Sequence, residues 1–135
     1  MGRMILIVDD DEKSVKLARD VLQARGYATL DASNGKDGVE LALEQKPDLI
    51  LMDMEMPLMD GLAAASILKA DDRAKEIPIV MLTASPHMDN AGLKAAGFAD
   101  CLIKPVHIQD LLKTVAAFLG ESDNATEAED SRRGR

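Results

Sequence analysis

The sequence contains no tryptophan, and aromatic residues make up only 2% of its 135 positions. Any core it builds must therefore be aliphatic, filled with Val, Ile, Leu, Ala and Met. A single cysteine, Cys101, excludes an internal disulfide and a cysteine-built zinc site, and it suits a reducing compartment. Histidine is almost as scarce: His87 and His107 stand in polar surroundings, and neither is marked as a phospho-relay histidine. No run approaches the ~20 apolar residues that a membrane helix needs. The opening, MGRMILIVDDDE, is too short in apolar residues for a signal peptide and meets acids at once. There is no excess of positive charge either. The formal net charge is -8, which argues against a nucleic-acid backbone or an anionic membrane as the main partner. A soluble, cytoplasmic protein is the expectation.

Apolar residues make up 47% of the chain, enough for one independently folding domain. Two unbroken apolar runs stand out, Met4 to Val8 and Leu49 to Met52, and each ends in carboxylates. Such runs between turn formers suit strands buried on both faces of a parallel sheet. Shorter strands are predicted at Tyr27 to Ala32, Ile79 to Leu82 and Cys101 to Ile103. Helical spacing predicts helices over Ser14 to Arg25, Asp37 to Gln45, Leu62 to Ala70, Met88 to Ala96 and Ile108 to Leu119, with Asn34-Gly35 as a turn. Pro57 and Gly61 should make Met54 to Asp60 a loop. Strands and helices alternate, which implies an α/β fold with a five-stranded parallel sheet and helices on both faces. The domain is expected over residues 1–120. The remainder, 121–135, lacks apolar periodicity and reads as a disordered polar tail. Its five acids and three arginines carry only a minor share of the net charge.

The strand ends carry the chemistry. Asp9 and Asp10, Asp53, Thr83 and Lys104 close four different strands, and a parallel sheet places those ends along one edge, where open α/β folds bind ligands. Each has a plainer reading: Asp9 to Asp11 as a helix cap, Thr83 as a β-former, Lys104 as a solvated side chain. Together they imply a charged site. Two carboxylates about 4 Å apart repel by on the order of 4 kcal/mol at an effective dielectric of ~20. Lys104 offsets part of this, and a divalent cation would offset more. Oxygen ligands without histidine select a hard ion, and Mg²⁺ suits a site with few carboxylates and a phosphoryl group. A carboxylate beside Mg²⁺, with a lysine and a hydroxyl converging, points to phosphoryl transfer through an aspartyl phosphate. Ala84 leaves room for the group to enter. The methionines at 52, 54, 56 and 59 read as adaptable packing rather than a soft-metal site.

ILIVDDD, LILMDMEMPLMDG, IVMLTA and IKP occur in this order between Met4 and Leu119. In this the chain resembles the receiver domains of two-component response regulators (CheY-like), and its finer pattern looks like stand-alone regulators of the DivK type. The resemblance implies a flavodoxin-like (βα)5 sandwich with strand order 2-1-3-4-5. It implies that Asp53 is the phospho-acceptor. Mg²⁺ would be held by Asp10, Asp53 and the Glu55 backbone carbonyl, assisted by Asp9. Thr83, Ala84 and Lys104 would contact the phosphoryl group, and the Lys104-Pro105 bond would be cis. The donor would be a histidine kinase or histidine phosphotransfer protein. Output would pass to a downstream protein target, since the residues after Leu119 are too few for an output module. Such a chain is a switch that catalyses only its own phosphorylation and dephosphorylation.

Two departures from the family pattern matter. Cys101 stands where the family usually carries a Tyr or Phe that swings inward on phosphorylation. The segment from Thr83 to Lys104 is slightly short and contains Pro86 and Gly92. Glu55 and Ser85 occupy the variable positions that influence phosphoryl lifetime in the family. Two other readings stand beside this one. A pseudo-receiver would bind partners without phosphorylation, and Cys101 fits that. A phosphatase of the haloacid-dehalogenase type also uses a D-x-D pattern, which Asp53-Met54-Glu55 nearly matches.

Overall fold

A computed structural model describes residues 3–56, 58–84 and 89–120. The expected tail, the break at Pro57, and Ser85, Pro86, His87 and Met88 lie outside these residues. Five strands, β1 (Met4–Val8), β2 (Ala28–Ala32), β3 (Leu49–Asp53), β4 (Ile79–Thr83) and β5 (Asp100–Ile103), alternate with five helices, α1 (Glu12–Ala24), α2 (Gly35–Gln45), α3 (Gly61–Ala70), α4 (Asn90–Ala95) and α5 (Ile108–Leu119). All strand pairs are parallel, and their order is β2-β1-β3-β4-β5, as expected.

The unbroken apolar runs follow from burial on both faces. Side chains alternate along a strand, and the alternation sorts them into two cores. Leu6, Val8, Ile50, Met52, Ile79 and Met81 enter one cluster with residues of α2, α3 and α4. Ile5, Ile7, Leu49, Leu51, Val80 and Leu82 enter the other, with Val15 and Leu22 of α1 and Leu111, Val115 and Leu119 of α5. The second cluster also holds Tyr27, whose hydroxyl donates to the Gly120 carbonyl at 2.9 Å and ties the end of α5 to the start of β2. Phe98, 2% exposed, is the only aromatic ring among the described residues of the first cluster.

The starts of α1, α2 and α4 differ from the periodicity because caps decide them, whereas α5 starts at Ile108, as predicted. Asp11 accepts from the Lys13 N–H at 3.3 Å and from the Ser14 hydroxyl at 2.7 Å, so α1 begins at Glu12, ahead of the predicted Ser14. Asn34 is a cap rather than part of a turn. Its side chain accepts from the Asp37 N–H at 2.8 Å and donates to the Asp37 carboxylate at 3.0 Å, and α2 starts at Gly35. The fourth helix is shorter than predicted: Asp89 accepts from the Gly92 N–H at 2.8 Å, and the helix runs only from Asn90 to Ala95. Among the described residues no helix is long and apolar enough to cross a membrane.

Candidate phosphoryl-transfer site

The carboxyl ends of β1 and β3 bring the acids together. Asp9, Asp10 and Asp53 each offer an oxygen within 4.8 Å of the others. Asp9 is 2% exposed and Asp53 4%, whereas Asp10 faces solvent. Asp9 is fixed by the Asp11 N–H, which donates to its Oδ1 at 2.9 Å. The acids expected as a cap and those expected as a site are different residues. Asp11 caps α1, and Asp9 and Asp10 cluster with Asp53.

Lys104 reaches into this cluster from the end of β5. Its Nζ lies 3.4 Å from Asp9 Oδ2 and 3.2 Å from Asp53 Oδ2. The Lys104 N–H donates to the Thr83 carbonyl at 2.8 Å, so the lysine and the threonine sit side by side across β4 and β5. The Lys104-Pro105 bond is cis. Burial pushes the Lys104 pKa down, but the Asp9 and Asp53 carboxylates outweigh it and hold the pKa above its ordinary value. Asp9 moves up, first because burial penalises its charge and then because Asp53 repels it; the Asp11 N–H and Lys104 act the other way. Among the described residues, one ammonium thus reaches two of the three clustered carboxylates, and an excess of formal negative charge remains.

Strand parity divides the remaining residues. Asp53 follows Leu49 and Leu51 and points to the α1 and α5 side, as Asp9 does after Ile5 and Ile7. Thr83, 7% exposed, follows Ile79 and Met81 and points to the opposite side. Cys101, paired in register with Met81, lies on that same side directly behind the Thr83–Ile103 pair and packs against the first core. Burial, then the neighbouring Asp100 charge, pushes its thiol pKa up. Ala84 is exposed at the rim. It also lines an apolar groove of about 390 Å³ between α1 and α5, which Asp9 and Lys104 border.

The Glu55 N–H donates to Asp53 Oδ1 at 3.4 Å. The loop that carries Glu55 is closed by the Gly61 N–H, which donates to the Met54 carbonyl at 3.0 Å. Asp60 caps α3 by accepting from the Ala63 N–H at 2.9 Å. Sequence reasoning named Gly61 only as a breaker and did not assign Asp60, although Asp-Gly ahead of an apolar helical run is a readable start signal.

Residues 5–116 match the model of the response regulator receiver domain family. The chain belongs to this family. It is 35% identical over 123 residues to the polar-differentiation response regulator DivK of Brucella anthropi, a match that covers 90% of this chain and 100% of the relative. Among solved structures, the chemotaxis protein CheY4 of Vibrio cholerae superposes with a TM-score of 0.82 at 29% identity, covering 88% of this chain and 100% of that one. The receiver domain of sensor histidine kinase PA1611 from Pseudomonas aeruginosa, determined with a magnesium ion coordinated in its active-site cleft, gives a TM-score of 0.80 at 29% identity over 90% of this chain and 100% of that one.

Proposed function

We propose that this chain is a stand-alone response regulator in a two-component phosphorelay, with Asp53 as its phospho-acceptor. The observation that carries the reading is the clustering of three carboxylates, Asp9, Asp10 and Asp53, with the Lys104 ammonium 3.4 Å from Asp9 and 3.2 Å from Asp53. The match to DivK along that relative's entire length supports the stand-alone assignment.

The residues present fit a divalent cation. Three carboxylates within 4.8 Å offer only hard oxygen donors, and a single lysine leaves their charge under-compensated. Asp9, Asp10, Asp53 and the Glu55 carbonyl would hold Mg²⁺. When bound, the ion supplies neutralising charge for the phosphoryl oxygens. The chain's own residues do the rest. An Asp53 oxygen attacks phosphorus, the donor's N–P bond breaks, and its electron pair stays on the departing imidazole of a histidine kinase or phosphotransfer protein. Lys104 holds positive charge beside the accepting oxygen, and the Thr83 hydroxyl, which starts on the other face of the sheet, is drawn toward the transferred group and donates to it. Hydrolysis of the acyl phosphate resets the switch. Leu17, 47% exposed, and Ile108, 45% exposed, flank the apolar groove beside Asp9 and offer the donor a place to rest. Output to a downstream protein passes through surface contacts.

The test is incubation with acetyl phosphate and Mg²⁺, followed by intact-mass measurement. Wild type should gain one phosphoryl group, and Asp53→Asn none. No gain in wild type would favour the pseudo-receiver reading instead.

A further inference from the structure

The loop between β3 and α3 bears the proposed metal-binding carbonyl of Glu55, and both of its ends are held on Asp53 and Met54. A Cβ on Gly61 would lie 2.5 Å from the Asp53 carbonyl oxygen and 3.0 Å from Met54 Cα, so the start of α3 is pressed against the acceptor's own backbone. A third contact comes from an element outside the acidic cluster. A Cβ on Gly35, the first residue of α2, would overlap the Met59 carbonyl oxygen and lie 2.9 Å from the Met59 carbonyl carbon. The obstacle is backbone, which cannot turn aside as the end of a side chain can. The α2 side is equally fixed, because Asn34, 8% exposed, is locked into its cap by two hydrogen bonds with Asp37. Leu58, immediately before Met59, has φ 72°, a left-handed conformation that a leucine keeps only when its surroundings impose it.

We infer that Gly35 is a positioning residue for the metal: its lack of a side chain lets the loop settle on α2 and so sets where the Glu55 carbonyl stands relative to Asp53. The inference rests on the reading of Asp53, Asp10 and Glu55 as the Mg²⁺ site. Gly35 touches neither the metal nor the acids; it acts through Met59. In Gly35→Ala, the loop has to lift from α2, and the carboxylates stay where β1 and β3 put them. Affinity for Mg²⁺ should fall while the intrinsic reactivity of Asp53 survives.

Gly38 provides the comparison. It lies one turn further along α2, and a Cβ there would meet the Val8 methyl groups at 2.9 Å rather than the loop. Gly38→Ala thus disturbs the packing of the same helix without lifting Met59. Mg²⁺ titrations should be followed by the amide shifts of Met54 and Glu55, and separately by the rate of phosphorylation from acetyl phosphate. Gly35→Ala should raise the half-saturating Mg²⁺ concentration by roughly tenfold, the size seen when supports of metal ligands are removed. Its maximal phosphorylation rate at saturating Mg²⁺ should stay near that of wild type. Gly38→Ala should lose stability but keep the wild-type half-saturation. If Gly35→Ala does not fold, Leu58→Pro, whose ring cannot keep φ 72°, shifts the Met59 backbone from the loop side and should raise the half-saturation likewise. Wild-type Mg²⁺ affinity in the folded Gly35 variant, or in Leu58→Pro, overturns the inference, as does an equal loss in Gly38→Ala. A wild type that binds no Mg²⁺ overturns the site reading itself.

Discussion

Single residues at the sheet edge are held in mutual tension, and that tension is measurable without metal. Asp10 is exposed but lies within 4.8 Å of two other carboxylates. Asp10→Asn removes one repulsive charge and should stabilise the metal-free protein by on the order of 1 kcal/mol, the solvent-exposed limit for a close pair. The same change should abolish Mg²⁺-dependent phosphorylation. Urea unfolding in EDTA checks the first outcome and mass measurement the second; loss of stability together with unchanged phosphorylation would sink the assignment. Asp9 adds a pH dependence. Its folded pKa is raised above 3.8, so the folded state holds the proton more tightly than the unfolded one. Stability gained from Asp9 protonation is present at low pH and is lost as pH rises from 3.8 through the raised value. Lys104 works at the other end: its folded pKa is raised above 10.5, and its contribution holds below 10.5 and is lost as pH climbs through the folded value. Asp9→Asn keeps an acceptor for the Asp11 N–H and should flatten the acid-side change in metal-free unfolding titrations. A variant with the same acid-side slope as wild type would show that another group causes it.

At the scale of elements, the strands and both ends of α5 were legible, whereas the starts of α1 and α2 were not. Leu49 to Asp53 reads as a strand because both its faces are apolar, and the structure buries all five residues. Its terminal Asp53 pointed to the acidic cluster, because a carboxylate closing a buried run is costly unless it meets a positive partner, here Lys104. Helix starts depend instead on single polar side chains bonding backbone N–H groups, and Asp11 and Asn34 look like loop residues until that bond is seen. Two consequences of tertiary packing leave even less trace. Nothing near Gly35 in sequence announces that Met59 rests on it. Nothing local announces that Phe98 would be buried in the first core. The Asn34 cap can be tested directly. Asn34→Ala loses both hydrogen bonds with Asp37 at a nearly buried position and should cost about 1–2 kcal/mol. Asn34→Asp keeps the acceptor but sets a second carboxylate beside Asp37, so it should lie between Ala and wild type. Chemical denaturation ranks the three; Ala equal to wild type would mean that α2 does not depend on this cap.

For the whole molecule, the question is how a charge added at Asp53 is felt on the far side of the sheet. A phosphoryl group brings strong acceptors to short range and should draw the Thr83 hydroxyl toward it. Thr83 and Cys101 share one face of the sheet, and the Cys101 side chain packs toward the core that α4 covers. In the usual receiver an aromatic ring at that position fills the space a moving threonine leaves. The cysteine is too small to do so, and Phe98, 2% exposed and held in the core, is not at the strand position that could follow. An added group shifts a two-state equilibrium only by its differential interaction with the two states. Without the ring, that difference is smaller on the β5 side, and the response should be weaker there or take another route. Burial, then the Asp100 charge, raises the Cys101 thiol pKa and so disfavours the reactive thiolate. The decisive comparison is of amide shifts in wild type and Cys101→Tyr on adding beryllofluoride and Mg²⁺. Cys101→Tyr should enlarge the changes from Cys101 to Ile108, carrying the signal across β5 into the start of α5. If wild type already shows large changes along that stretch and the tyrosine adds nothing, coupling runs through the Thr83–Lys104 backbone contact alone, and the missing ring has no bearing on the switch.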